Sequence, residues 1–195
     1  GHVTLDTGSS LTTTGPVTTV AAAATSDVTG AGSFVLGGAG DQTVSVADGA
    51  AAEDFRVASL LTATAGQNLV KTGTGRLALA PAGTGFGNDV VVRDGDVQVD
   101  TVTAAVVLDR QTGTSPSVSG IGTTGAISGT AGTAAQGTVS PGDNGAASPA
   151  GVLTATGDVT LGAGSVFLVN LAGTGSATQP TAGVHYDQLR VTGAG

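Results

Sequence analysis

Carboxylates that could bind a metal ion are concentrated in one short stretch of the chain. Asp94 and Asp96 lie two residues apart, with Asp89 and Asp100 on either side of them. Hard cations such as Ca²⁺ prefer several oxygen ligands, so these four side chains are the candidates for a calcium site. They also lie beside turn residues such as Gly95, and aspartates commonly cap turns. We expect them to cap turns and keep an outer face soluble, and we assign no metal ligand and no cofactor.

Two glycine-rich motifs resemble known ligand-binding patterns. Residues 120–125 satisfy G-x-G-x-x-G, and residues 37–41 approach the calcium-binding nonapeptide G-G-x-G-x-D but misplace its aspartate. A nucleotide-binding fingerprint needs a strand before it and a helix after it, and no helical pattern follows residue 125. In a chain with 34 glycines such matches are expected by chance. Both motifs are interpreted as turns.

The residues needed for catalysis are sparse. His2 and His185 lie far apart in sequence, no G-x-S-x-G motif is present, and the chain has no cysteine. An enzyme acting on acidic polysaccharides would need aspartates together with Arg76 or Arg93 on one exposed sheet. Aromatic platforms for sugars are few, because we expect the four phenylalanines in the core and Tyr186 at a corner. We assign no catalytic residue and expect a protein that is not an enzyme.

Charge and hydropathy exclude several classes of protein. Fourteen acidic residues against six basic ones give a net charge of −8, and the basic residues are scattered. Such a surface has no electrostatic footprint for a phosphate backbone, so no nucleic acid is expected as a partner. The apolar runs are far shorter than the roughly 20 residues of a membrane span. Charged residues are only 10% of the chain, which is typical of a chain that folds.

Alternation of apolar and polar residues predicts short strands. It is clearest at residues 42–46, 76–79, 96–100 and 188–191, where the apolar side chains share one face. Turn pairs such as Asp48-Gly49 and Asp94-Gly95 separate the strands. Helix-forming periodicity is missing, with at most one helical turn at residues 50–56. The chain is therefore expected to be all-β, with little or no helix.

Repeated phrases suggest how these strands are arranged. Val-Thr-Leu at residues 3–5 recurs at 159–161, and residues 30–36 are answered by residues 162–168. Imperfect repeats of a strand–glycine turn–strand unit are typical of a solenoid. A β-sandwich has a similar strand spacing, but its thicker core usually needs larger side chains than these. With about 20 residues per repeat, the chain should form a β-solenoid of roughly nine or ten coils.

Several phrases resemble the autotransporter-associated β-strand repeat, usually written near L-x-K-x-G-x-G-x-L-x-L followed by V-x-x-G-x-L-x-V. They are LVKTGTGRLAL at residues 69–79 and VVVRDGDVQV at 90–99. Residues 118–122, 137–142 and 186–193 are similar to phrases that close the passenger regions of such proteins. The resemblance implies a right-handed parallel β-helix displayed outside a bacterial cell. The family includes adhesins and aggregation factors as well as carriers of effector domains, so it implies a scaffold more than an activity.

These observations combine into one expectation. Residues 1–195 should form one solenoid segment excised from a longer protein, with low-complexity thin coils at 111–151 and a loop near 141–149. Its expected role is a non-catalytic scaffold on the bacterial cell surface, extracellular or attached to the outer membrane. Its expected partners are further copies joined head to tail or cell-surface molecules. The alternatives are a glycan- or host-binding adhesin acting through residues 81–88 and, less favoured, a polysaccharide-active enzyme.

Overall fold

The computed structural model describes residues 1–80, 85–132, 135–142, 150–171 and 181–193. These residues form short strands and a single 3₁₀ turn, Thr130–Gly132, and the described ranges contain no α-helix. The helical turn considered for residues 50–56 does not form, since this segment bends and leads into a strand at Phe55. No helix in these ranges has the length and apolar character that crossing a bilayer requires. The all-β prediction is confirmed.

The strands, numbered in chain order, build four sheets. The first sheet has eight strands: β1 (His2–Leu5), β4 (Ser26–Gly30), β7 (Phe55–Val57), β10 (Arg76–Leu79), β12 (Asp96–Val99), β14 (Ser117–Gly120), β17 (Thr138–Pro141) and β19 (Val166–Phe167). The second has six: β3 (Val17–Thr18), β6 (Gln42–Ser45), β9 (Leu69–Thr72), β11 (Val90–Val92), β13 (Val106–Leu108) and β16 (Ile127–Ser128). The two smaller sheets contain β2 (Ser10–Thr13), β5 (Ser33–Leu36) and β8 (Leu60–Ala63), and β15 (Thr123–Thr124), β18 (Val152–Ala155) and β20 (Gln188–Val191).

Every pairing between these strands is parallel, and each strand pairs with the equivalent strand one turn later. This topology is a parallel β-solenoid and rules out a sandwich of two antiparallel sheets. Glycine turns join the sheets within one turn of the coil. Gly73 follows β9 and Gly95 follows β11, with φ of 76° and 68°, a left-handed conformation that side chains with a Cβ rarely adopt.

The number of coils is lower than predicted. The solenoid has about six turns rather than nine or ten. Six turns carry a strand of both larger sheets, and of these two sheets only the first continues beyond them, with β17 and β19. The sequence estimate assumed a uniform repeat, but turn length varies: Asp27 lies over His2 after 25 residues, whereas Asp96 lies over Arg76 after 20. The early turns are the longer ones, since Arg56 lies over Asp27 after a further 29 residues.

The core consists of apolar side chains stacked in register from one turn to the next. Inward positions alternate with outward ones along each strand, as the period-2 pattern predicted. One column in the first sheet is continuous over five turns, and its members are at most 5% exposed: Phe55, Leu77, Val97, Val118 and Val139. Burial of each such side chain contributes about 1.5–3 kcal/mol, so the columns hold neighbouring turns together.

Two expectations about individual apolar residues need correction. Phe34, Phe55 and Phe86 are buried as expected, but Phe167 is 46% exposed because its strand is the last of the first sheet. Val191 in β20 is also exposed, although alternation had placed it on a dry face. Both residues lie where no later described strand covers them.

The stretch at 111–151 contains four of the strands, β14 to β17, so its described part belongs to the coil. A loop was expected near 141–149, but its first residue, Pro141, is part of β17. Residues 143–149 lie outside the described ranges.

Candidate functional site

The aspartates considered as calcium ligands instead bind the turn that follows them. In Asp89, Asp94 and Asp100, the Oδ1 atom accepts a backbone N–H from the next turn of the coil. The donors are Ala105 at 3.0 Å, Ser115 at 3.1 Å and Ile121 at 3.3 Å, respectively. Within the described ranges no three His, Cys, Asp or Glu side chains are grouped so that they could hold a metal ion. These carboxylates are caps that connect successive turns.

Asp96 belongs to a different arrangement on the outer face of the first sheet. One of its carboxylate oxygens accepts from Arg76 Nε at 3.0 Å and from Ser119 Oγ at 2.6 Å. The other accepts from Ser117 Oγ at 2.7 Å. Register explains this cluster, since Arg76, Asp96 and Ser117 occupy one position in β10, β12 and β14.

Asp54 lies on the other side of Arg76 and is almost fully buried. Its Oδ1 accepts the N–H of Gly49 at 2.7 Å, and its Oδ2 accepts the N–H of Arg76 at 2.8 Å. Asp54, Arg76 and Asp96 all line an open cavity of about 440 Å³, together with Asp48 and Thr74. The structure therefore brings Arg76 and aspartates together. The sequence analysis named this grouping as a requirement for a polysaccharide-active enzyme.

The chemistry of this cavity is restricted by the bonds already made. Arg76 donates through Nε to Asp96 and through Nη1 to the carbonyl of Ala52 at 3.0 Å. Each carboxylate oxygen of Asp54 and Asp96 has a donor within hydrogen-bond distance. A lyase needs a cation that meets the substrate carboxylate and a base that takes its proton. Here the cation neutralises the protein's own carboxylate, so we interpret the cluster as structural.

Arg93 is separate from this cluster and pairs with Asp109. Its Nε lies 3.0 Å from Asp109 Oδ2, and Thr130 Oγ1 donates to Oδ1 at 2.7 Å. The pKa of Asp109 is lowered, first by the Thr130 hydrogen bond and then by Arg93, against the opposing effect of partial burial. The three residues follow one another on successive turns and form a ladder along the edge of the second sheet.

His2 takes part in a contact that sequence reasoning missed. Its Nδ1 contacts Asp27 Oδ1, and its Nε2 lies 2.9 Å from Thr4 Oγ1. A hydroxyl, an imidazole and a carboxylate in this order resemble a nucleophilic triad. Only the register of β1 over β4 brings Asp27 to His2, so spacing along the chain carried no signal for it.

Solvent exposure argues against catalysis at Thr4. The imidazole of His2 is 62% exposed, and the neighbouring cavity is lined by His2 and Asp27 but not by Thr4. Nucleophilic catalysis needs a substrate held against the hydroxyl and shielded from water. We interpret the contact as one that holds β1 on β4. His185 lies elsewhere and accepts the N–H of Thr181.

The loop proposed for glycan binding, residues 81–88, is described only from residue 85 onward. Phe86 is buried and bridges to Thr103 on the next turn, so its ring is not a platform for sugar. Tyr186 is half-buried in the turn that leads into β20, and its carbonyl accepts the N–H of Gly183.

Apolar side chains are exposed at both ends of the coil. At the first end, an open cavity of about 490 Å³ has Val3, Leu11, Phe34 and Phe55 in its lining. At the other end, residues 166–169 are each between 38% and 50% exposed. The strands β1 and β19 are the two edges of the first sheet, so both ends present strand edges beside apolar side chains.

Charge is nearly missing from the segments that form these ends. Residues 7–26 and 159–171 contain no Asp, Glu, Lys or Arg.

Comparison of the chain with protein-family models, curated proteins and solved structures found no match.

Proposed function

We propose that this chain is a non-catalytic structural segment of an extracellular bacterial surface protein or fibre. In this proposal the solenoid is right-handed, as crossovers between parallel strands nearly always are, and it serves as a stiff spacer. The support is the core, in which stacked columns of apolar side chains run continuously through consecutive turns. Bending such a body would separate both the columns and the parallel ladders beside them.

The proposed location depends on sequence resemblance. Residues 69–79 and 90–99 are similar to the autotransporter-associated β-strand repeat, and the resemblance supports display at the cell surface or attachment to the outer membrane. The phrase at 69–79 contains β9, its glycine turn and β10. The resemblance therefore involves one complete strand–turn–strand unit of the coil.

The scaffold is further proposed to associate end to end. The observation that carries this proposal is that apolar side chains and strand edges are exposed at both ends of the first sheet. All strands of this sheet run parallel, so β19 of one copy could add to β1 of another in the same direction. Such a contact joins two different surfaces and does not close, so it generates open filaments.

Sedimentation velocity and electron microscopy of the purified chain test this association. We expect elongated oligomers whose size grows with protein concentration. The variant Val166→Asp places a charge at the end and should yield monomers. Val102→Asp is the matched control, because Val102 is 55% exposed on a middle turn and Val166 is 50% exposed.

Three results would contradict the proposal. They are monomers at all concentrations, closed dimers, or equal loss of assembly in both variants. The scaffold itself fails separately if monomers prove compact and near-spherical rather than elongated.

A further inference from the structure

Lys71 occupies an interior position that its neighbours fill with aliphatic side chains. In the second sheet it lies in one column between Val44 of β6 and Val92 of β11, and Leu108 of β13 continues the column. Its side chain is 0% exposed. It is also the only lysine of the chain. A lone cation in an apolar column needs compensation, because burial of a charge is costly.

Backbone carbonyls from two turns supply part of that compensation. Lys71 Nζ donates to the carbonyls of Thr72 at 3.1 Å and Gly73 at 2.6 Å, and to that of Asp94 at 2.9 Å. An ammonium group has three N–H bonds, so each finds one acceptor. Thr72 and Gly73 belong to the chain leaving β9, whereas Asp94 follows β11 on the next turn of the coil. The ammonium therefore joins two consecutive turns.

Glycine makes this close approach possible. A Cβ on Gly95 would lie 2.8 Å from Lys71 Nζ and 2.5 Å from the carbonyl oxygen of Gly73. Any larger residue at this position would push the two turns apart. Lys71, Gly73 and Gly95 thus form one structural unit, although Gly95 lies more than 20 residues from the other two in sequence.

The charged groups around Lys71 act in opposite directions. Burial lowers the pKa of its amine to about 8, while the negative charges of Asp94, Asp96 and Asp54 raise it. Arg76 is bonded to Asp96 and offsets part of that attraction. At pH values below about 8 the side chain is an ammonium, whose three N–H donors match the three carbonyls.

We propose that Lys71 is an internal pin: its ammonium binds the turn after β9 to the turn after β11, so that the two turns open together. The apolar columns hold strands over one another, but they do not reach into the turns. The pin adds a connection between these two turns from inside the coil.

Hydrogen exchange at pH 7 tests the pin in the whole chain. Two amides report on the two turns: Gly75 N–H, bonded to the Val46 carbonyl, and Arg93 N–H, bonded to the Lys71 carbonyl. Lys71→Met keeps an unbranched side chain but removes all three donors. We expect both amides to lose protection by about tenfold or more, the value of hydrogen bonds to a charged group.

Leu108→Met is the matched control, since it changes the same column by a swap that conserves volume. It should leave both amides protected, and the Gly32 N–H of the first turns should not change in either variant. The pin is wrong if Lys71→Met has no effect, if only Gly75 responds, or if Leu108→Met has the same effect.

If Lys71→Met does not fold, the unaltered protein supplies the test. An amine-reactive acylating reagent can modify only the α-amino group and Lys71, so mass spectrometry counts both sites. Lys71 should react only through opening, with the same protection factor as the Gly75 and Arg93 amides. Reaction of Lys71 while the Arg93 amide stays protected would refute the joint opening of the two turns.

Discussion

At the scale of single residues, the burial of Lys71 determines how stability depends on pH. The pKa of its amine is about 8 in the folded chain and 10.5 as the ordinary value. Between these values the unfolded chain binds more protons, so the free energy of unfolding must rise with pH. We expect a gain of about 3 kcal/mol in total, at about 1.4 kcal/mol per pH unit.

Urea unfolding at pH 7.5, 9 and 10.5 measures this dependence. The variant Lys71→Met should show no such rise, since it has no group that titrates at this position. Stability that is constant or falls across this range in the unaltered chain would contradict the burial of the amine.

Gly95 allows a second prediction at the same scale. Gly95→Ala should destabilise the fold for two reasons, because φ is 68° and because the new Cβ would crowd Lys71 Nζ and the Gly73 carbonyl. Gly113→Ala has a similar φ of 80° with no atom within 4 Å of the new Cβ. Left-handed strain alone costs about 1–2 kcal/mol.

Thermal or urea unfolding of both variants separates strain from crowding. Gly95→Ala should lose clearly more stability than Gly113→Ala. Equal losses of stability would contradict the crowding of a Gly95 Cβ against Lys71 Nζ and the Gly73 carbonyl.

At the scale of elements, alternation within a strand predicted which face is buried. The prediction for residues 76–79 was a strand with both leucines on one dry face, and β10 has these bounds with Leu77 and Leu79 fully buried; Ala78 on the opposite face is buried as well, so the expected wet face is missing at this strand. Alternation predicts the inward residues of this strand because the interior of the coil is narrow and is filled by aliphatic side chains.

That burial has a measurable consequence. Leu77→Ala removes a side chain from the middle of a column and should lower the free energy of unfolding by about 2–5 kcal/mol. Leu60→Ala in β8 is the control, because Leu60 is only half-buried. It should cost much less in the same urea titration, and a reversed order would contradict the assigned faces.

Contacts between strands were not predictable in the same way. The pairing of His2 with Asp27, and of Arg76 with Asp96, depends on which residues lie over one another from turn to turn. This register depends on the length of each loop between strands, and the composition of the chain does not predict those lengths. For the same reason the coil count was too high, and Phe167 was placed in the core although it lies on an edge strand.

At the scale of the whole molecule, the sequence around Lys71 matched a repeat motif, but the motif did not predict what the lysine does in the fold. The motif shows that Lys71 lies two residues before Gly73. It does not show that Lys71 also donates to the carbonyl of Asp94 on the next turn of the coil. A buried cation among apolar neighbours contradicts ordinary patterning, so only the coiled arrangement explains it.

The distribution of charge has a consequence for assemblies of many copies. The described acidic residues lie outside residues 7–26 and 159–171, and the net charge of the chain is −8. If the chain forms the proposed filaments, their like net charge repels neighbouring filaments in dilute buffer, which favours single filaments over lateral bundles. Salt shortens the range of that repulsion to about 8 Å at physiological ionic strength. Ionic strength should therefore change the thickness of such a fibre more than its length.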